Sequence, residues 1–123
     1  MNEAQVSDLQ GLTLKSVTRT DDEIHFRHED GRCWKMWHDQ DCCESVGIED
    51  ICGDLSDLEG TPIVLAEEVS NYEGPPPEYP DSYTWTFYRF RTIKGDVTIR
   101  WLGESNGYYS ESVDFGLYQD TTQ

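Results

Sequence analysis

Tyr83-Thr84-Trp85-Thr86-Phe87-Tyr88-Arg89-Phe90-Arg91-Thr92-Ile93-Lys94-Gly95-Asp96-Val97-Thr98-Ile99-Arg100-Trp101 is the stretch whose reading decides the fold. Aromatic and β-branched residues recur at every second position, the period of a pleated strand with one buried face. Lys94-Gly95-Asp96 interrupts the run with turn chemistry, and Val97, Ile99 and Trp101 resume it. Further on, Asn106-Gly107 precedes Tyr109, Glu111, Val113 and Phe115. Asn-Gly favours a two-residue hairpin because both central residues need positive φ. Residues 83–116 therefore predict a meander of three antiparallel strands. The aromatic stripe Tyr83, Trp85, Phe87 and Trp101 is expected in its core.

Upstream, Leu12 and Leu14 alternate and, after a slip, Val17 follows, which reads as a strand. Ile24 and Phe26, then Cys33, Trp34, Met36 and Trp37, predict a hairpin over about residues 23–38 turning at Asp30-Gly31. Val46 and Ile48 suit a further short strand. Ile51, Leu55 and Leu58, followed by Gly60 and Pro62, fit a short helix of about two turns. Pro62 to Val69 reads as a strand entered from a loop. Four of the five prolines lie between Asn71 and Asp81, so residues 71–82 are expected to be a surface loop, because proline cannot donate to a sheet ladder. It is either a contact element or a plain excursion. The fold class expected is α+β and β-dominated: a single antiparallel, curled or partly barrel-like sheet of about seven or eight strands with one short helix. The chain, residues 1–123, is expected to form a single domain with an ordered core over about 12–118.

Charge narrows the function. Nine Lys and Arg stand against 25 Asp and Glu, a net charge of −16. Direct binding to nucleic-acid phosphates is excluded, since that binding is driven by cationic side chains displacing counterions. The imbalance is local. Between Lys35 and Arg89 there is no Lys or Arg, and the 53 residues from Met36 to Tyr88 carry 13 acids. Asp39, Asp41, Glu44, Glu49, Asp50, Asp54, Asp57 and Glu59 are the candidate partner-binding carboxylates, joined by Tyr108, whose side chain and that of adjacent Tyr109 point to opposite faces of a strand. A strong negative potential suits a basic protein partner. A solvated acidic face that merely keeps the chain soluble is the competing reading. No apolar run approaches a membrane span, and the N-terminus lacks a signal peptide's basic start and apolar stretch, so a cytoplasmic protein without a membrane partner is expected.

Four cysteines, Cys33, Cys42, Cys43 and Cys52, complete the inventory. Disulfides are not expected in a cytosolic protein, leaving buried thiols, a metal site or a reactive nucleophile. His38, Cys42, Cys43 and Cys52 offer the residue types of a tetrahedral zinc site, but vicinal cysteines chelate one ion poorly and there is no Cys-x-x-Cys pair. The base expectation is no cofactor, with zinc as the alternative. A hard cation on the Asp39–Asp57 carboxylates lacks the calcium-loop pattern. A Cys42 or Cys43 pair with His38 is a chemically conceivable nucleophile. No Gly-x-Ser-x-Gly, no phosphate-cradling glycine loop and no His-Glu-x-x-His occurs, so a non-enzymatic protein is expected.

The runs His38-Asp39-Gln40-Asp41-Cys42-Cys43-Glu44-Ser45-Val46, Ile48-Glu49-Asp50-Ile51-Cys52-Gly53-Asp54-Leu55, Gly60-Thr61-Pro62-Ile63, Ser82-Tyr83-Thr84-Trp85-Thr86-Phe87-Tyr88 and Ser105-Asn106-Gly107-Tyr108-Tyr109-Ser110-Glu111, together with Trp101, carry a resemblance. Over about residues 12–116 the chain resembles a family of small uncharacterised proteins common in bacteriophage genomes, a domain of unknown function. The resemblance supplies no catalytic residue. It implies a phage or prophage accessory protein in a bacterial host. By analogy of size and charge, such a protein inhibits a host nucleic-acid-handling or defence protein, in the manner of an anti-CRISPR or anti-restriction factor, through a phosphate-mimicking acidic surface at residues 39–59. A small Cys/His metal-binding domain, or a structural assembly protein that uses exposed tyrosines and an unpaired sheet edge, are the alternatives.

Overall fold

The computed structural model describes residues 2–71, 82–107 and 109–119. Among these, strands follow in the order β1 (Asn2–Glu3), β2 (Leu14–Arg19), β3 (Ile24–His28), β4 (Arg32–Trp37), β5 (Ser45–Cys52), β6 (Leu65–Asn71), β7 (Ser82–Thr92), β8 (Gly95–Ser105) and β9 (Asp114–Gln119), with 3-10 turns at Val6–Leu9 and Leu55–Leu58. β-structure dominates and every strand pairing is antiparallel, as the alternation predicts. The strands divide between two sheets instead of one, in the orders β1-β9-β4-β3-β2 and β5-β8-β7-β6, and no barrel closes.

Several local signals act as read. The β3–β4 hairpin turns through Asp30 and Gly31, whose φ of +94° is costly for a residue with a Cβ. The slip between Leu14 and Val17 is a bulge: Leu14 faces His28 and Ser16 faces Arg27, two steps against one. β7 and β8 stay in register from Thr92–Gly95 to Ser82–Ser105 around the turn Ile93-Lys94.

Three expectations are corrected. The helix sought over Ile51–Leu58 is only the turn Leu55–Leu58, because Ile51 stays in β5 opposite Ile99 and Gly53 then breaks the chain direction. Gly53 has φ +105°, and a Cβ there would lie 2.4 Å from the Asp96 carbonyl oxygen. The third meander strand does not form. After Ser105 the chain crosses to the other sheet, where β9 lies between β1 and β4. The crossing packs on Gly103, at which a Cβ would come 2.3 Å from the Glu111 carbonyl oxygen, and Glu111 is tied by the hydroxyls of Ser105 (2.5 Å) and Thr84 (2.8 Å).

The third correction concerns the stripe in β7. Trp101 is in the core and Trp85 is buried as expected, at 4% exposure, but Tyr83, Trp85 and Phe87 take the opposite face from Tyr88 and Phe90, whose cross-strand neighbours Ile99 and Val97 are also buried. Both phases of β7 are rich in aromatics, so apolar alternation alone does not choose between them. Arg89 and Arg91 do, since they share parity with Trp85 and Phe87 and are exposed.

The core lies between the sheets. Val17, Ile24, Phe26, Trp34, Met36 and Phe115 from one layer meet Ala66, Tyr88, Phe90, Val97, Ile99 and Trp101 from the other, with Phe26 and Phe90 centroids 5.4 Å apart. Leu9 and Leu58, on the two 3-10 turns, close the sandwich margins, both fully buried.

Candidate functional site

The acidic stretch splits about β5, which is the edge of its sheet. Asp39, Asp41 and Glu44 precede that strand, Glu49 and Asp50 lie within it, and Asp54, Asp57 and Glu59 follow it. Four of these eight side chains are held by their own surroundings. Asp50 takes a bidentate grip from Arg100, which lowers its pKa from the ordinary carboxylate value. Asp54 caps the Leu55–Leu58 turn by accepting the Ser56 N–H at 3.1 Å, which lowers its pKa too. Glu59 accepts the Val17 N–H at 2.8 Å.

Glu44 is the fourth, and it is turned inward. Its side chain is 1% exposed and accepts the backbone N–H groups of Cys42 and Asp41 (2.9 Å each) and His38 Nε2 (2.8 Å). The Cys42 N–H above all, then the imidazole and the Asp41 N–H, hold its pKa at about 2 against an ordinary 4.5. His38 donates its other ring nitrogen, Nδ1, to the Ser112 carbonyl oxygen at 2.8 Å. Both partners are acceptors, so each ring nitrogen is placed to donate. This cluster fastens the loop after β4 to the crossing segment before β9. It is structural cement rather than an outward-facing contact.

The remaining acids face outward. Asp39 accepts from the Trp37 indole at 2.9 Å with its carboxylate still exposed; Asp41 and Glu49 are exposed, and Asp57 is half-buried. Tyr108, the aromatic member of the expected contact set, lies outside the described residues, as does the proline-rich segment 72–81.

The metal set does not converge. Cys42 and Cys43 are joined to each other, contrary to the expectation of free thiols; adjacency along the chain keeps the two sulfurs together. His38 has both nitrogens occupied, which also separates it from a thiol partner, and Cys52 is exposed at the far end of β5. Cys33 is buried, the ordinary fate of a free cysteine. Among the described residues no group of three or more His, Cys, Asp or Glu side chains could hold a metal ion.

A feature not read from the sequence lies where the two sheets part, between β6 and the strands β1 and β9. A cleft of about 420 Å³ is lined by Glu3, Trp37, Asp39, Glu68 and Asp114 over a floor that includes Ala4 and Phe115, with no Lys or Arg in its lining. Its acids come from four distant parts of the chain, which is why no run in the sequence announces it. The cations, meanwhile, are spent elsewhere: Arg32 on Asp30, Lys35 on Glu23, Arg89 on Glu67, Arg91 on Asp96 and Arg100 on Asp50. Among the described residues no helix is long and apolar enough to cross a membrane.

A family model described as a domain of unknown function (DUF7448) matches residues 7–115, from the first 3-10 turn to the start of β9. No curated protein and no solved structure matches the chain. With nearly all of both sheets inside the matched span, the chain belongs to this family of domains of unknown function.

Proposed function

We propose that this chain is a non-enzymatic, acidic binding protein that occupies the basic groove of a nucleic-acid-handling protein, its outward carboxylates standing where phosphates otherwise lie. The setting that suits it is a phage or prophage in a bacterial cytoplasm, with a host nuclease or other defence protein as the target to be inhibited. The observation that carries this reading is the pairing of the cations. Five of the nine basic side chains are neutralised by carboxylates of the same surface, so a surplus of acids is left without intramolecular partners. Uncompensated charge of one sign steers association with a surface of the other.

Of the eight acids first considered, Asp39, Asp41, Glu49 and Asp57 are those with carboxylates left for a partner. They are not gathered in one patch: Asp41 precedes β5, Glu49 lies within it, Asp57 follows it, and Asp39 lines the cleft beside β6. The eight residues of β5 cover about 23 Å at ~3.3 Å per step. That is the rise of about seven nucleotides of one DNA strand at ~3.4 Å each. A groove built to follow a phosphate backbone offers cations over such a length.

Competition is the test. The immobilised chain captures proteins from a bacterial lysate, and duplex DNA or an uncharged polymer is then added. The reading expects the captured proteins to be released by DNA and not by the polymer, and to be released increasingly by salt. Proteins that stay bound through DNA excess would overturn it.

A further inference from the structure

The cleft between the sheets continues into a second cavity of about 290 Å³, the two sharing Ala4, Glu68 and Phe115. Together they form a groove beside β6, the last strand of its sheet. The Ala66 N–H points out of the sheet to Gln10 Oε1 at 3.1 Å. By the period of the strand, the N–H and C=O groups of Glu68 and Ser70 point the same way, and among the described residues no strand lies beyond β6 to receive them.

Tyr88, a core residue in the lining of neither cavity, bears on the groove through Glu68. It is 0% exposed, it shares a sheet face with its cross-strand neighbour Glu68, and its hydroxyl has no well-formed hydrogen bond beyond its interaction with that carboxylate. The charges acting on that hydroxyl are Glu68 and Asp114, which line the groove from opposite sheets. The phenol oxygen keeps unused acceptor capacity, which a cationic donor entering between those two carboxylates would use. None of Glu3, Glu68 and Asp114 forms an ion pair among the described residues.

We propose that this groove receives an extended, arginine- or lysine-bearing segment of a protein partner, which pairs its backbone with β6 and sets its cationic side chains among Glu3, Asp39, Glu68 and Asp114. The proposal rests on the reading of the chain as a binder of basic proteins and gives that binder a specific mode, strand addition at an edge. Charge complementarity selects the occupant. A second copy of this chain, itself at −16, would bring like charges together.

The probe is a synthetic ten-residue peptide alternating arginine and valine, titrated calorimetrically into the full chain. A second peptide replaces two valines with proline, keeping the charge but removing backbone donors. The expected result is saturable one-to-one binding, weakened at least tenfold in the proline peptide and in the Glu68→Gln/Asp114→Asn variant. Equal binding of both peptides, or no loss in the variant, overturns strand addition in this groove. Self-association of the chain that the arginine peptide fails to disrupt overturns it as well. Neither failure touches the broader reading, which stands or falls on displacement by DNA.

Discussion

Glu44 and His38 decide how the loop between β4 and β5 is held. Glu44 is a carboxylate in the acidic stretch whose charge is consumed by two backbone N–H groups and an imidazole, so its work is to fix the loop. The folded state depresses its pKa to about 2, below the unfolded value of 4.5. A depressed acid contributes stability above the unfolded value and loses it as pH falls through the folded one. Glu44→Gln should therefore lower the urea midpoint at pH 7, and the gap from the native chain should close between about pH 4.5 and pH 2. A gap that stays constant across that range would assign Glu44 no special protonation equilibrium. In the sequence Glu44 is indistinguishable from Asp41 or Glu49. Only its folded surroundings, assembled from residues as distant as Ser112, separate a loop-fastening acid from an outward one.

At the scale of elements, β7 shows what alternation can and cannot decide. Its existence, length and turn into β8 are legible, because Lys94-Gly95 divides two period-two runs. Its facing is not legible from apolar residues alone, since aromatics occupy both phases. The prediction is a large asymmetry between neighbours of the same type. Phe90→Ala, in the inter-sheet core against Phe26, should cost about 3–5 kcal/mol by chemical unfolding. Phe87→Ala, on the outer face beside Trp85, should cost only about 1 kcal/mol, the worth of an aromatic pair. Similar losses at both sites would contradict the facing described for β7. The Asn106-Gly107 signal fails for a different reason. It is a local turn preference, overridden by tertiary contacts: Gly103 admits the Glu111 backbone, and the chain leaves the sheet to complete the other layer.

Over the whole molecule, the net charge of −16 has a direct thermodynamic consequence. Compact folding concentrates like charges, and salt screens them, the Debye length falling from ~30 Å at 0.01 M to ~10 Å at 0.1 M. The melting temperature should rise with sodium chloride over that range. A fall would mean that the five ion pairs outweigh the unpaired acids. Composition made the excess of acids legible and confined it to the middle of the chain. It could not say which acids remain available, because Asp50, Asp54, Glu59 and Glu44 are claimed by an arginine, a turn and two backbone sites that only the fold brings near. Nor could it show the groove beside β6, whose acids meet only when both sheets have formed.

If outward carboxylates take the place of phosphates on a basic partner, removing them must weaken its capture. The most direct measurement compares lysate proteins eluted by duplex DNA from the immobilised native chain with those eluted from an Asp39→Asn/Asp41→Asn/Glu49→Gln/Asp57→Asn variant of unchanged melting temperature. The expected result is a DNA-eluted basic protein on the native chain and a loss of at least tenfold on the variant. Undiminished capture by the variant, or capture that DNA cannot reverse, would contradict it.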